Sequence, residues 1–154
     1  PTPSPRQPPQ TTRPHTTRTC PTVTTRTVAV LTKAEPLHLW VVLDQAVLQR
    51  EVGGRQVMAA QIDHLIEQAQ RPNIDIQILP WSAGAHAAGV GHCVTITAGG
   101  ITSAYIEMLS GGLYLDTAEG VKIYTTAIDY LHSQAADTTA SLQIMSAASE
   151  EYRK

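Results

Sequence analysis

The segment that decides the fold is residues 37–79, which read LHLWVVLDQAVLQREVGGRQVMAAQIDHLIEQAQRPNIDIQIL. Its first part, Leu37–Leu43, is apolar on both alternating faces, a pattern typical of an interior strand covered on both sides. Asp44 can cap a brief helical turn over residues 45–50, before Gly53 and Gly54 interrupt the chain. The segment therefore opens with a buried strand and a short turn of helix.

The rest of this segment predicts a helix followed by a second strand. Residues 55–70 carry apolar side chains at the 3.6-residue spacing of one helix face, and Pro72 ends the pattern. Ile74, Ile76 and Ile78 then alternate with polar residues, as in a half-buried strand. A strand, a helix and a strand in this order predict a right-handed parallel β-α-β crossover.

Shorter elements follow this crossover. Residues 92–97 and 103–109 predict two strands joined by a hairpin at Gly99 and Gly100, where glycine supplies positive φ angles, and residues 113–115 are a candidate last strand. Asp116 and Glu119 have the spacing of a capping box, and two stretches of helical periodicity run to the end of the chain. We expect an α+β fold: a small mixed sheet with a β-α-β crossover, a following β-hairpin and C-terminal helices.

The first 27 residues differ in composition from the rest. They hold seven prolines and ten threonines, and Val23 is their one large aliphatic residue. Such a segment buries too little apolar area to offset the entropy of ordering it, so we predict that residues 1–27 are disordered. Residues 28–154 are predicted to form a single α+β binding domain, which Pro36 introduces.

Charge, cysteine content and hydropathy limit the classes of protein to which this chain can belong. Residues 1–27 carry four of the 11 basic residues and none of the 13 acidic ones, so residues 28–154 carry 13 acids against 7 bases, a net charge of −6. An acidic body disfavours a nucleic-acid surface, which needs clustered Lys and Arg. Cys20 and Cys93 form no disulfide framework, and no apolar run reaches the roughly 18–20 residues of a membrane span. We expect a cytoplasmic protein that does not enter the membrane.

Candidate catalytic and nucleotide-binding motifs each lack a required residue. Gly84 and Gly89 have the glycine spacing of a phosphate-binding loop, but no Lys follows them. Ser82 could belong to a nucleophile elbow, but Pro80 stands where that turn needs its first glycine. Asp63, with Glu67 four residues later, is interpreted as part of the exposed side of the helix. We therefore predict no catalytic residue, no cofactor and no enzymatic activity.

A metal site is also not expected. His86, His92 and Cys93 lie within eight residues, but a structural zinc ion needs a fourth ligand. If residues 92–97 form a strand, His92 and Cys93 point to opposite faces and cannot share one ion. The simpler interpretation makes Cys93 a small buried residue and His86 a loop side chain near the surface.

The residues left as candidates for partner or ligand contact are Trp81, Ser82 and His86. Trp81 directly follows the second strand. A tryptophan there either covers the core or anchors an interface, and the sequence leaves both roles open.

Three motifs occur in a distinctive order: LHLWVVLDQAVLQREVGG at residues 37–54, QVMAAQIDHLIEQAQRPNIDIQILPWSAGAHAA at residues 56–88, and SGGLYLD at residues 110–116. With them the stretch from Val28 to Tyr152 resembles the C-terminal domain of uncharacterised function in actinobacterial antitoxin-like transcriptional regulators. These regulators carry an N-terminal helix-turn-helix of the xenobiotic-response-element type. Residues 28–33 resemble the end of the helix that joins the two domains, and no helix-turn-helix is recognisable in this sequence.

The resemblance implies a regulatory domain that binds an effector or a partner. The expected partners are a small protein encoded nearby, a second copy of the chain, or both, with DNA bound only through the missing helix-turn-helix. We interpret the sequence as a truncated or N-terminally disrupted copy that does not bind DNA alone. The alternative is a small enzyme or ligand-metabolising domain with an unrecognised site.

Overall fold

The structure is a computed structural model that describes residues 29–86 and 92–154. The predicted disorder of residues 1–27 lies outside the described residues. The chain divides into two compact units, Pro1–Pro36 and Leu37–Lys154. In the described part of the first unit, the amide and the hydroxyl of Thr32 both donate to the carbonyl of Ala29, which closes one short turn.

The second unit begins with the predicted crossover. Strand β1 is Leu39–Asp44, helix α1 is Ala46–Gln49, helix α2 is Arg55–Gln68 and strand β2 is Ile74–Leu79. β1 and β2 pair in parallel, from Leu39 opposite Ile74 to Asp44 opposite Leu79. This pairing confirms the predicted parallel β-α-β arrangement. The isoleucine alternation and the helical spacing each fall on the element that they predicted.

A three-stranded antiparallel sheet follows. Its strands are β3 (Cys93–Ala98), β4 (Ile101–Met108) and β5 (Gly111–Leu115), in the order β3-β4-β5. Gly99 and Gly100 have φ angles of 58° and 79°, so the two-residue hairpin uses the left-handed region that glycine adopts without strain. The predicted hairpin is confirmed.

Two helices close the chain, α3 (Ala118–Gln134) and α4 (Thr138–Arg153). The capping residue of α3 is Thr117, whose hydroxyl accepts from the amide of Gly120, and not Asp116 as the sequence suggested. Asp137 caps α4 by accepting from the amide of Ala140 at 2.7 Å. Side-chain acceptors therefore satisfy an amide at the start of both helices.

The core lies where α4 packs against α2 on one side and against β2 on the other. Ile62 of α2, Ile78 of β2 and Met145 of α4 are all almost completely buried. Because dense packing of such side chains supplies most of the stabilising free energy, this layer is the structural centre of the second unit.

The α+β class is confirmed, but the strands form two sheets instead of one mixed sheet. The outer edge of β2 explains the difference. The Ile78 amide donates to the Ser141 hydroxyl at 2.9 Å, and the Ile78 carbonyl accepts from the Ala136 amide at 2.9 Å. At Ile78, the connection between α3 and α4 and the first turn of α4 therefore occupy the position that a third strand would need.

Candidate functional site

Hydrogen bonds made by Gln45, directly after β1, hold the carboxyl ends of β1 and β2 together. Asp44 Oδ1 accepts from the Ala46 amide at 2.8 Å and so begins α1. The Gln45 amide donates to the Leu79 carbonyl, and Gln45 Oε1 accepts from the Trp81 amide at 3.1 Å. Open sheets with parallel strands bind ligands at this end.

All three predicted contact residues lie on the segment that leaves β2 at this end. Trp81 and Ser82 belong to a single 3-10 turn, Trp81–Ala83, and both are exposed, the former at 59%. Trp81 is therefore not a lid over the core. The exposed indole fits the alternative that the sequence left open, an interface anchor.

His86 differs from its predicted surface position, because its side chain is only 14% exposed. Its Nε2 lies 3.3 Å from Oδ2 of Asp44, so one carboxylate both begins α1 and holds the segment after β2. Its Nδ1 is buried and has no hydrogen-bond partner among the described residues. No local sequence pattern indicates this pairing, since 42 positions separate the two residues.

An open cleft of about 530 Å³ adjoins these residues. It is formed by α1, the start of α2 and the C-terminal half of α4, and we call it the α1–α4 cleft. Its apolar lining is Leu48, Ile144, Ala147 and Ala148, and its polar and aromatic lining is Gln45, Gln49, Glu51, Arg55, Glu151 and Tyr152. Its size falls within the roughly 300–1,000 Å³ typical of small-molecule sites.

Arg55 fixes one end of the α1–α4 cleft. Its guanidinium donates to the backbone carbonyl of Glu151 and lies 5.6 Å from the ring centroid of Tyr152, within cation–π range. The Glu151 carboxylate accepts from Lys154 at 2.8 Å, and this hydrogen bond lowers the pKa of Glu151. The charged groups at this end are therefore held in place by neighbours on α4.

A smaller cavity of about 330 Å³ lies on the polar face of the parallel pair. Trp40 borders it, and its indole N–H donates to Gln77 Oε1 at 2.6 Å. The indole ring stacks on the imidazole of His132 in α3 with 3.6 Å between ring centroids, and burial lowers the pKa of His132.

Trp40 is 52% exposed, so the prediction that β1 is covered on both sides was wrong. The alternation of β2 could have indicated this exposed face, because Asp75 and Gln77 lie on the same face of the parallel pair as Trp40.

The remaining titratable residues are dispersed. In residues 29–86 and 92–154, no three His, Cys, Asp or Glu side chains are placed to hold a metal ion. Cys93 is half-buried, and burial raises the pKa of its thiol.

Asp63 is not a free surface charge as predicted, because its carboxylate accepts hydrogen bonds from Ser149 and Arg153 of α4. None of the helices in the described part is long and apolar enough to cross a membrane.

A family model for a domain of unknown function, DUF5753, matches residues 9–147. The match covers all five strands, α1 to α3 and most of α4. No curated protein and no solved structure matches the chain. Because the match spans most of its length, this chain belongs to the DUF5753 family.

Proposed function

We propose that this chain is the regulatory binding domain of an antitoxin-like transcriptional regulator and that it has no catalytic activity. Its α1–α4 cleft takes up a small partner protein encoded nearby, or an effector, in the cytoplasm. The observation that carries the proposal is the cleft itself, which has a volume of about 530 Å³, an apolar lining, and two charged border residues, Arg55 and Glu151, that are engaged by neighbouring residues. Such a site binds apolar surface without offering a reactive group.

The surface around the cleft supports a protein partner. Val47 of α1 and Val52 in the following connection are exposed, as is Trp81 beside Gln45. Val47 and Val52 are next in the chain to the lining residues Leu48 and Glu51, and tryptophan is enriched among residues that dominate binding energy. A groove between helices is also a common receptor for an amphipathic helix.

DNA reading is assigned to a helix-turn-helix domain of the regulator and not to this domain. Residues 28–154 have a net charge of −6, and an acidic surface repels the phosphate backbone. The proposed role of the domain is to couple partner or effector binding to that separate reader.

The alternative, a small enzyme, has one observation in its favour. His86 and Asp44 form a pair of the kind that orients a general base. However, His86 is 14% exposed, which limits its access to a substrate, and Asp44 is also engaged by the Ala46 amide. The pair is better explained as a link between β1 and the segment after β2.

The proposal is tested by co-expressing the chain with the small protein encoded next to it and measuring affinity by calorimetry. Ala147→Glu places a charge in the α1–α4 cleft, and Trp81→Ala removes the exposed indole; both residues are exposed, so the fold should persist. We expect each variant to weaken binding about tenfold or more. Ala60→Glu makes the same change on an exposed position of α2 outside the cleft and should bind normally.

Unchanged affinity in Ala147→Glu would exclude the cleft as the binding site. Turnover of a bound small molecule that is lost in His86→Gln would instead favour the enzymatic alternative.

A further inference from the structure

The antiparallel sheet carries a second apolar surface, on the side that faces away from α3. Strand pairing places Val94 opposite Tyr105 and Tyr105 opposite Tyr114, so these residues share one side of the sheet. Ile96 and Ile101 lie on the same side by the two-residue alternation. We call these five residues the tyrosine face; each is between 42% and 68% exposed.

The opposite side of the sheet is the one that α3 covers. Ala104, in the middle of β4, is completely buried on that side. A Cβ added to Gly120 of α3 would lie 3.6 Å from Leu115 Cδ1, a β5 side chain on the same side as Ala104. The tyrosine face is therefore left without a partner among the described residues, although its side chains are of the size and type that normally occupy a core.

The two tyrosine rings are already fixed in place. The Tyr114 hydroxyl donates to Ser103 Oγ across the strands at 2.8 Å. The Tyr105 ring lies over Gly112, where an added Cβ would come within 2.3 Å of it. Because the rings are held before any partner arrives, docking on this face costs less side-chain entropy than docking on mobile side chains.

We propose that the tyrosine face docks against the same face of a second copy of this chain, forming a symmetric dimer through a surface separate from the α1–α4 cleft. Large apolar side chains offer roughly 150–200 Å² each, so five of them at about half exposure present roughly 400–500 Å². A two-fold axis doubles this to roughly 800–1,000 Å², the size of a weak, reversible interface.

The charge distribution also favours a second copy at this face. Each copy has a net charge of −6 over residues 28–154, so contacts between charged surfaces of two copies are repulsive. Among the described strand residues on this side of the sheet, Glu107 is the one charged residue. Two copies that meet here therefore oppose only the two Glu107 side chains among these strand residues, and we expect added salt to tighten the dimer by screening the remaining repulsion.

The experiment is sedimentation velocity on the full 154-residue chain, over about two decades of concentration in the micromolar range. We expect a reversible monomer–dimer equilibrium in the wild type, with a dissociation constant that falls as salt is added. Ile96→Lys should raise this constant about tenfold or more, because it places a charge on both sides of the interface. Ile101→Lys, at the exposed end of β4, should act in the same direction and guards against misfolding in the first variant.

Ile123→Lys is the matched control, since Ile123 lies on α3 and is 67% exposed. It should leave the dimer unchanged. A wild type that stays monomeric at every concentration would overturn the proposal, whether or not another protein binds the face. An equal weakening by Ile123→Lys and by both strand variants would overturn it as well, because the effect would then come from added charge alone. Neither result bears on binding at the α1–α4 cleft.

Discussion

Replacing Ser141 with Ala should lower the free energy of unfolding by about 1–2 kcal/mol, although the substitution removes only one oxygen atom. Ser141 is completely buried, and its hydroxyl accepts from the Ile78 amide at 2.9 Å. Without that hydroxyl the amide has no acceptor and no access to water, which costs about 1–3 kcal/mol. The Ala136 carbonyl, which accepts from the same hydroxyl, keeps its bond from Gln77 Nε2 at 2.9 Å.

The intrinsic preference of alanine for helices works in the opposite direction, by up to about 0.5 kcal/mol. Ser146→Ala provides the control, because it is the same substitution at an exposed position of α4. The difference between the two variants in urea unfolding therefore isolates the buried hydrogen bond. Hydrogen exchange at the Ile78 amide should also accelerate in Ser141→Ala alone. Equal stability of the two variants, with Ile78 exchange unchanged, would refute the role assigned to Ser141.

Burial lowers the pKa of His132 below 6.5, so the unfolded chain binds the proton more tightly than the folded chain does. The free energy of unfolding should therefore fall as the pH drops below about 6.5. His132→Gln should flatten this pH dependence, which urea unfolding midpoints measured at a series of pH values would show. The Ser149 hydroxyl is the largest cause of the lowered pKa of Asp63, ahead of Arg153, so Ser149→Ala should raise that pKa toward 3.8 in a carboxyl-carbon NMR titration, and an unchanged value would contradict this. Gly112→Ala should displace the Tyr105 ring, change the near-ultraviolet circular dichroism and cost about 1 kcal/mol of stability; an unaltered spectrum would show that the ring does not lie over Gly112.

Local sequence patterns predicted the elements that depend on local physics. The alternation of Ile74, Ile76 and Ile78 identified β2, and the adjacent glycines at 99 and 100 identified the β3–β4 hairpin. These signals are reliable because strand alternation and positive φ angles are set by the residues themselves. The three motifs that carry the family resemblance, within residues 37–116, also lie inside the stretch that the DUF5753 model matches.

Contacts between distant residues were not predictable in the same way. Nothing near Ile78 indicates that a serine 63 positions later accepts from its amide, so one mixed sheet was expected where two exist. The α1–α4 cleft likewise combines Leu48 and Arg55 with residues of the last helix. Trp81 could be proposed as a contact residue from the sequence because an aromatic residue directly after a strand is conspicuous by itself, and its role stays a prediction. The engagement of Asp44 by His86 was missed because it depends on the path of the chain after β2.

The closed outer edge of β2 also protects the protein against aggregation. Residues 74–79, IDIQIL, form a short segment rich in isoleucine with a single charge, the kind that stacks into fibrils when its backbone is free. At Ile78 both backbone groups are already engaged, by Ser141 and Ala136, so a strand from another molecule can add there only after Ala136 and the first turn of α4 have both detached. Proteolytic removal of α4 would therefore turn the best-buried strand of this domain into its most aggregation-prone segment.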